Sequence, residues 1–352
     1  MKKRILSLIL ALSIVLSVLP LGAFAEGSLP ELVMGATGYP VCSNGTQGNG
    51  WEYMNGTLYL DEGTYDFSST HPQDTTKGDP TTKPVQCPIK IKSSSATITG
   101  GIFDKEVTNS GTIENGAFKG NVTNNGNGTI SGGTFQSEGV VKNFGTINGK
   151  GTFEKEVTNF GAIENGTFNG TVTNNAGGKI SDGTFNKKVT NNGTIEKGTF
   201  ASSVENSGTI NNGTFAGSVT NSGTVNGGVF NRNATLINVT GGHNITWDTA
   251  YPNAKIEKVN DVAVDWPPYA YKDTTVTITA STDIYSLNGK SLDESSYPDT
   301  TDKKTVTFTM PGENVVLNRT AELEVVSGEI ESGETAEGSG RVRIGGKVEV
   351  TT

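Results

Sequence analysis

Nine phenylalanines recur through the middle of the chain, at Phe103, Phe118, Phe135, Phe153, Phe168, Phe185, Phe200, Phe215 and Phe230, in steps of 15, 17, 18, 15, 17, 15, 15 and 15 residues. Each is preceded by an aliphatic residue, in order Ile98, Ile113, Ile130, Ile147, Ile163, Ile180, Ile195, Ile210 and Val225, with all but one of those gaps being five residues. A valine follows most of them by four residues, as at Val107, Val122, Val157, Val172, Val189, Val204 and Val219. Two residues beyond that position comes asparagine: Asn109, Asn124, Asn143, Asn159, Asn174, Asn191, Asn206 and Asn221. A unit of this length cannot bury three apolar side chains by itself, so the units must stack into a solenoid.

The coils are β. Gly and Asn punctuate every few residues, Thr and Val lie between them, and no apolar stripe of helical period runs through the segment. Three short strands per coil follow, one around each of the Ile, Phe and Val positions. Alternation along a strand turns Val204 and Asn206 inward and Glu205 outward. The asparagines therefore read as an interior ladder, each amide bonding to the next coil at about 4.8 Å; the other reading is an exposed polar binding row. Ile98, Phe103, Ile113, Phe118, Ile195, Phe200, Val204, Ile210 and Phe215 are expected in the core. Glycines before threonine, such as Gly193, Gly198, Gly208 and Gly213, suit corners that need positive φ. The longer coils gain their residues in NNGNGT, QSEGVVKN, INGKGTF and NNAGGK, all at turns, so the strands keep register.

The repeat offers little chemistry. Carboxylates that stack on neighbouring coils would suit polysaccharide cleavage, but the position after Ile reads Glu114, Ser131, Asn148, Glu164, Ser181, Glu196, Asn211 and Asn226. Its nearest acids are two coils, or about 9 to 10 Å, apart, where a retaining glycosidase wants about 5 Å and an inverting one about 6.5 to 9.5 Å with substrate between. Glu154, Lys155 and Glu156 form the densest charged group and read as a solvated face. Neither a nucleophile motif, nor a metal-ligand set, nor a phosphate loop occurs, so no catalytic residue, cofactor or metal is expected. The outward threonines raise ice binding, which the interruptions at Lys142, Ala162, Lys179 and Glu205 weaken.

The ends place the protein. Lys2, Lys3 and Arg4 precede an apolar run from Ile5 to Leu19 and the small-residue pattern Ala23, Phe24, Ala25, which reads as a signal peptide over 1–25, cut before Glu26. No second apolar stretch follows, so no transmembrane segment is expected after cleavage, nor is a sorting signal recognisable at the C-terminus. The chain carries 27 basic and 36 acidic residues; losing the three leader cations leaves a net charge of about −12, a poor match for nucleic acid or anionic membranes. Cys42 and Cys87 are the sole cysteines. One disulfide is the simplest reading in an exported chain, closing a loop of about 45 residues and contributing roughly 4 kcal/mol; two thiols are the alternative.

Residues 26–97 read as a cap for the open end of the solenoid, with a hairpin turning at Asn55 and Gly56. Its aromatics, Trp51, Tyr53, Tyr59 and Tyr65, either fill that cap or stack on sugar rings. The solenoid itself spans 98–250. Beyond Pro252, DTTVTITA (273–280) and KTVTFTMPGENVVLN (304–318) alternate as strands, giving a small β module over 253–321. Those two blocks, and above all FTMP at Phe308–Pro311, resemble the bacterial repeat domain related to the internalin B-repeat. That resemblance implies an extracellular spacer or interaction module without catalysis. The Asn-, Gly- and Thr-rich coils are in turn similar in composition to bacterial surface β-solenoid proteins. Residues 322–352, rich in Gly, Ser and Glu, read as a linker or flexible tail.

The sequence thus predicts an all-β chain: a single-stranded β-solenoid of about nine 15- to 18-residue coils with an N-terminal β cap and a small C-terminal β module. Its expected role is that of a secreted or cell-surface, non-enzymatic binding or adhesion protein for glycans or extracellular host proteins. A polysaccharide lyase or hydrolase and a passive stalk are the rivals.

Overall fold

The computed structural model describes residues 46–68, 84–136, 138–299 and 301–319, whose regular structure is β apart from one 3₁₀ turn at Glu294–Ser296. About nine coils stack into one β-solenoid, each contributing one short strand to each of three parallel sheets. The registers set like on like: Val157 beside Val172, Asn159 beside Asn174, Ile163 beside Ile180 and Phe168 beside Phe185. Lengthened corners leave this untouched, since Asn124 still faces Asn143 across 19 residues of chain. Extra residues at a corner loop outward, because shifting a strand by one would turn every buried side chain to solvent.

Two interior columns hold the coils together. The nine phenylalanines are fully buried or nearly so, and form one continuous offset stack with centroids 4.5 to 4.9 Å apart and ring planes within 11° of parallel. Each ring removed from water stabilises by roughly 1.5–3 kcal/mol, and stacking adds about 0.5–1.5 kcal/mol per pair. Phe67 closes the stack edge-on at one end, 5.6 Å from Phe103, and Tyr271 tilts onto Phe230 at 5.8 Å at the other.

The asparagine column is an interior ladder. From Asn109 to Asn206 each Nδ2 donates to the Oδ1 of the next asparagine at 2.6 to 2.7 Å. The second amide hydrogen points to backbone carbonyls at the corner, as Asn159 does to Gly161 at 3.0 Å. All seven rungs run the same way, and the last, Asn221, donates to the carbonyls of Gly223 and Asn238. Burying eight amides is tolerable because each is satisfied.

Glycine serves two separate purposes at the corners. Gly198 and Gly213, two residues before a phenylalanine, have φ of +128° and +140°. The expectation of positive φ fails at Gly193 and Gly208, which are absent from that conformation. There a Cβ would collide with a carbonyl oxygen of the adjacent coil, Gly178 O and Gly193 O respectively. Close approach of stacked corners excludes any side chain.

Stacking reaches back into the segment expected to be the cap. Leu58 pairs in parallel with Ile89 and Ile89 with Val107, Tyr65 pairs with Ile98, and Val85 bridges to Phe103. One degenerate coil, of Tyr65, Val85 and Ile89, and before it the strand Thr57–Leu60 therefore precede the regular ones, with Leu60 and Ile91 standing in the asparagine column. Only Thr46–Gly48 and Trp51–Met54 add as antiparallel strands, the latter through a turn at Asn55 and Gly56 with φ of 51° and 74°. Cys87 is buried, while Cys42 lies outside the described residues, as do the leader and the segment 322–352.

At the other end the phenylalanine sheet continues without a break. Val229–Asn231 pairs antiparallel with Pro268–Tyr271, which pairs with Gly242–Trp247, and that strand runs alongside Val315–Asn318. A separate four-stranded sheet places Thr275–Ala280 antiparallel to Thr305–Thr309 over a second core around Val276, Ile278, Val306 and Leu317. Asn260 donates to Thr214 Oγ1 at 3.1 Å, so this region sits against the last coils.

Candidate functional site

With the interior given over to packing, any site must be built from what the coils turn outward. Those outward rows are in register and zipped along the axis. Asn211 donates to Glu196 and Asn226 to Asn211, at 2.9 and 2.8 Å; likewise Asn169 donates to Glu154 and Asn186 to Asn169, at 2.8 and 2.7 Å. Surface ion pairs Lys119–Asp104, Lys179–Glu196, Lys188–Glu205 and Lys197–Asp182 join neighbouring coils. Each such exposed pair is worth little singly, but together they fix the exterior. The threonine row on the phenylalanine sheet is unbroken from Thr134 through Thr152, Thr167, Thr184 and Thr199 to Thr214.

The carboxyls whose surroundings move them are held as anions. The Asn211 amide, followed by Lys179, keeps Glu196 below the usual carboxylate range. Burial pushes Asp104 up, but the Gln86 amide and Lys119 outweigh it and bring it down. A general acid needs the opposite shift. No group of three or more His, Cys, Asp or Glu placed to hold a metal occurs among the described residues.

The group Glu154, Lys155 and Glu156 is a correction. Both glutamates are exposed, but Lys155 is only 2% exposed and lies within the wall. Its ammonium reaches back two coils to donate to the carbonyls of Lys119 at 3.1 Å and Gly120 at 2.7 Å. Burial lowers its pKa to about 8, with Glu138 opposing. The ammonium thus spans the coil that carries the QSEGVVKN addition and lies close to Gly139 on it.

The corner after each asparagine holds the feature that sequence reasoning missed. Its residues run Ser110, Asn125, Phe144, Phe160, Asn175, Asn192, Ser207 and Ser222, and backbone bonds from Phe144 N to Asn124 O and from Phe160 N to Asn143 O stack them along the axis. Neighbours pair like with like: Asn125 donates to Ser110 Oγ, Ser207 meets Ser222, and Phe144 stacks on Phe160 at 4.8 Å and 5°. The two rings are 45% and 43% exposed, unlike the buried stack. Both flanking coils carry the two-residue insertions, Gly126–Asn127 and Ala176–Gly177, exposed and tightened by bonds from Gly128 N to Asn125 O and Gly178 N to Asn175 O. Three coil rises, about 14 Å, separate those protrusions. Aligning the residue after each asparagine would have shown aromatics in an otherwise Ser and Asn column.

The cap aromatics lie apart from this corner. Trp51 is 4% exposed in the core, and Tyr53 packs partly against it. The Tyr65 hydroxyl donates to Gly50 O and Glu62 O at 2.6 and 2.7 Å; burial, then Asp61 and Glu62, push its pKa up to about 12. Tyr59 faces outward with the Lys90 and Lys92 ammoniums 5.7 and 5.5 Å from its ring. The four do not converge on one surface.

Comparison of the chain with family models, curated proteins and solved structures gave no match.

Proposed function

We propose that this is a secreted or cell-surface, non-enzymatic binding protein whose solenoid exterior presents repeated polar rows to glycans or extracellular host proteins. The observation that carries the reading is the ordered exterior: Thr and Asn side chains repeat at coil spacing, and the Asn rows are braced by coil-to-coil hydrogen bonds such as Glu196–Asn211–Asn226. A repetitive polymer can meet such a surface without paying to order it. Residues 253–321 are read with it as a spacer of the internalin B-repeat kind, supported by the antiparallel pairing of the two strand blocks that carry the resemblance.

The test applies purified residues 26–352 to a glycan array and to a pull-down from host extracellular proteins. Saturable binding in either is expected; blanks in both would leave a passive stalk. Release of reducing ends or unsaturated products, lost on Glu154→Ala or Glu156→Ala, would replace binding with polysaccharide cleavage.

A further inference from the structure

Every departure from the 15-residue period falls between Phe118 and Phe185, and from there to Phe230 the steps are uniform. The regular coils show what the fold needs. Packing does not require the longer ones, and two of their four additions, Gly126–Asn127 and Ala176–Gly177, flank one corner on the outside, the other two lying at the remaining corners. Phe144 and Phe160 stand at that place, and they are the sole aromatics in a column that Ser and Asn fill elsewhere.

Resting on the binding reading above, we propose that the Phe144–Phe160 corner is the glycan site, and that it takes a pyranose ring whose C–H face lies on the exposed phenyl pair. Two features commit the site to that chemistry. First, the apolar surface is small: two half-exposed rings edged by outward Lys142 and Thr158 on one sheet and Thr146 and Ala162 on the next. A stable protein partner needs some 1,200–2,000 Å² with a dry apolar centre; a sugar ring needs an apolar platform with hydrogen-bonding groups at its rim, which is the pattern here. Second, the protrusions at Gly126–Asn127 and Ala176–Gly177 bound the platform along the axis and limit the ligand to a chain crossing the two middle coils. Lys142, with no ion-pair partner among the described residues, adds an attraction for a uronate. Aromatics at such a centre hold most of the binding free energy.

The experiment titrates cellohexaose, xylohexaose, mannohexaose, chitohexaose and hexagalacturonate into the full chain by calorimetry. It then repeats the titration on Phe144→Ser/Phe160→Asn, which installs residues the column uses elsewhere, on Phe144→Tyr/Phe160→Tyr, and on Lys290→Ala in the exposed strand Lys290–Ser291 outside the solenoid. Far-UV circular dichroism and thermal unfolding check each fold. The proposal expects at least one oligosaccharide to bind, the Ser/Asn pair to weaken it about tenfold or more, and the other two variants to bind as the parent does. Undiminished affinity in the Ser/Asn pair overturns the corner and leaves the broader reading standing, as does loss in the Lys290 variant alone. A blank panel with a positive host-protein pull-down also overturns the corner alone; blanks in both overturn the two together.

Discussion

Replacing Asn159 with alanine isolates what the interior ladder contributes. Asn159 is fully buried; its Oδ1 accepts from Asn143 at 2.7 Å, and its Nδ2 donates to Asn174 at 2.7 Å and to Gly161 O at 3.0 Å. Alanine deletes these bonds, leaving the Asn174 Oδ1 buried without its donor and both Asn143 amide hydrogens to share the carbonyls of Gly145 and Ala162. At about 1–3 kcal/mol for each orphaned group, the expected loss is about 2–5 kcal/mol in urea unfolding followed by circular dichroism. Asn221→Ala should cost roughly half as much, because the end residue has one ladder neighbour and its donor already turns to backbone. Asn159→Asp adds a sign test. The carboxylate would face the Asn174 oxygen, so its folded pKa rises above the unfolded value of about 3.9. Its penalty is then largest at neutral pH and shrinks as pH falls through the folded pKa, when the acid regains a donor. An Asn159→Ala loss below about 0.5 kcal/mol, the size of an ordinary surface change, would refute the ladder argument.

Four further outcomes follow from the same packing. Because burial lowers Lys155 to about 8 from 10.5, folding favours its neutral form, and the stability of the parent relative to Lys155→Met should rise by roughly 3 kcal/mol between pH 8 and 10.5; a flat difference contradicts the buried ammonium. Phe168→Ala, inside the stack with rings 4.7 and 4.8 Å on either side, should cost about 3–5 kcal/mol by chemical denaturation. Gly193→Ala should lower the melting temperature well beyond Gly126→Ala, since a Cβ collides with backbone at the first and meets nothing within 4 Å at the second. Tyr65→Phe should destabilise by about 1 kcal/mol at neutral pH through the lost bonds to Gly50 and Glu62, and a spectroscopic titration of the parent should show one tyrosine ionising near 12.

The fold was legible because the repeat writes each interior column out many times: spacing placed Phe, Ile and Val inside, and period-two alternation turned Asn206 inward with Val204. What was hidden came from positions where one coil departs from the rest. Leu58, Tyr65 and Val85 occupy interior columns without the usual residues, so the stacking of the capping segment onto the coils was not visible in the repeat. Lys155 looked solvated because its charged neighbours are, and nothing in its spacing marks a side chain that reaches back to the carbonyls of Lys119 and Gly120. Gly193 and Gly208 looked like positive-φ corners because composition does not separate backbone conformation from close approach. Periodicity does not reveal Phe144 and Phe160, which stand out only by breaking a column that otherwise holds Ser and Asn.

The central claim is that the buried columns make the shape and that, on the polar exterior, the Phe144–Phe160 corner is where a glycan is held. The most direct test is hydrogen exchange, read peptide by peptide, with and without the best-bound oligosaccharide. The account predicts added protection confined to peptides covering residues 125–128, 140–162 and 175–178, with the uniform coils from 185 to 222 unchanged. Protection centred on those uniform coils, or on the strands beyond 252, would contradict it.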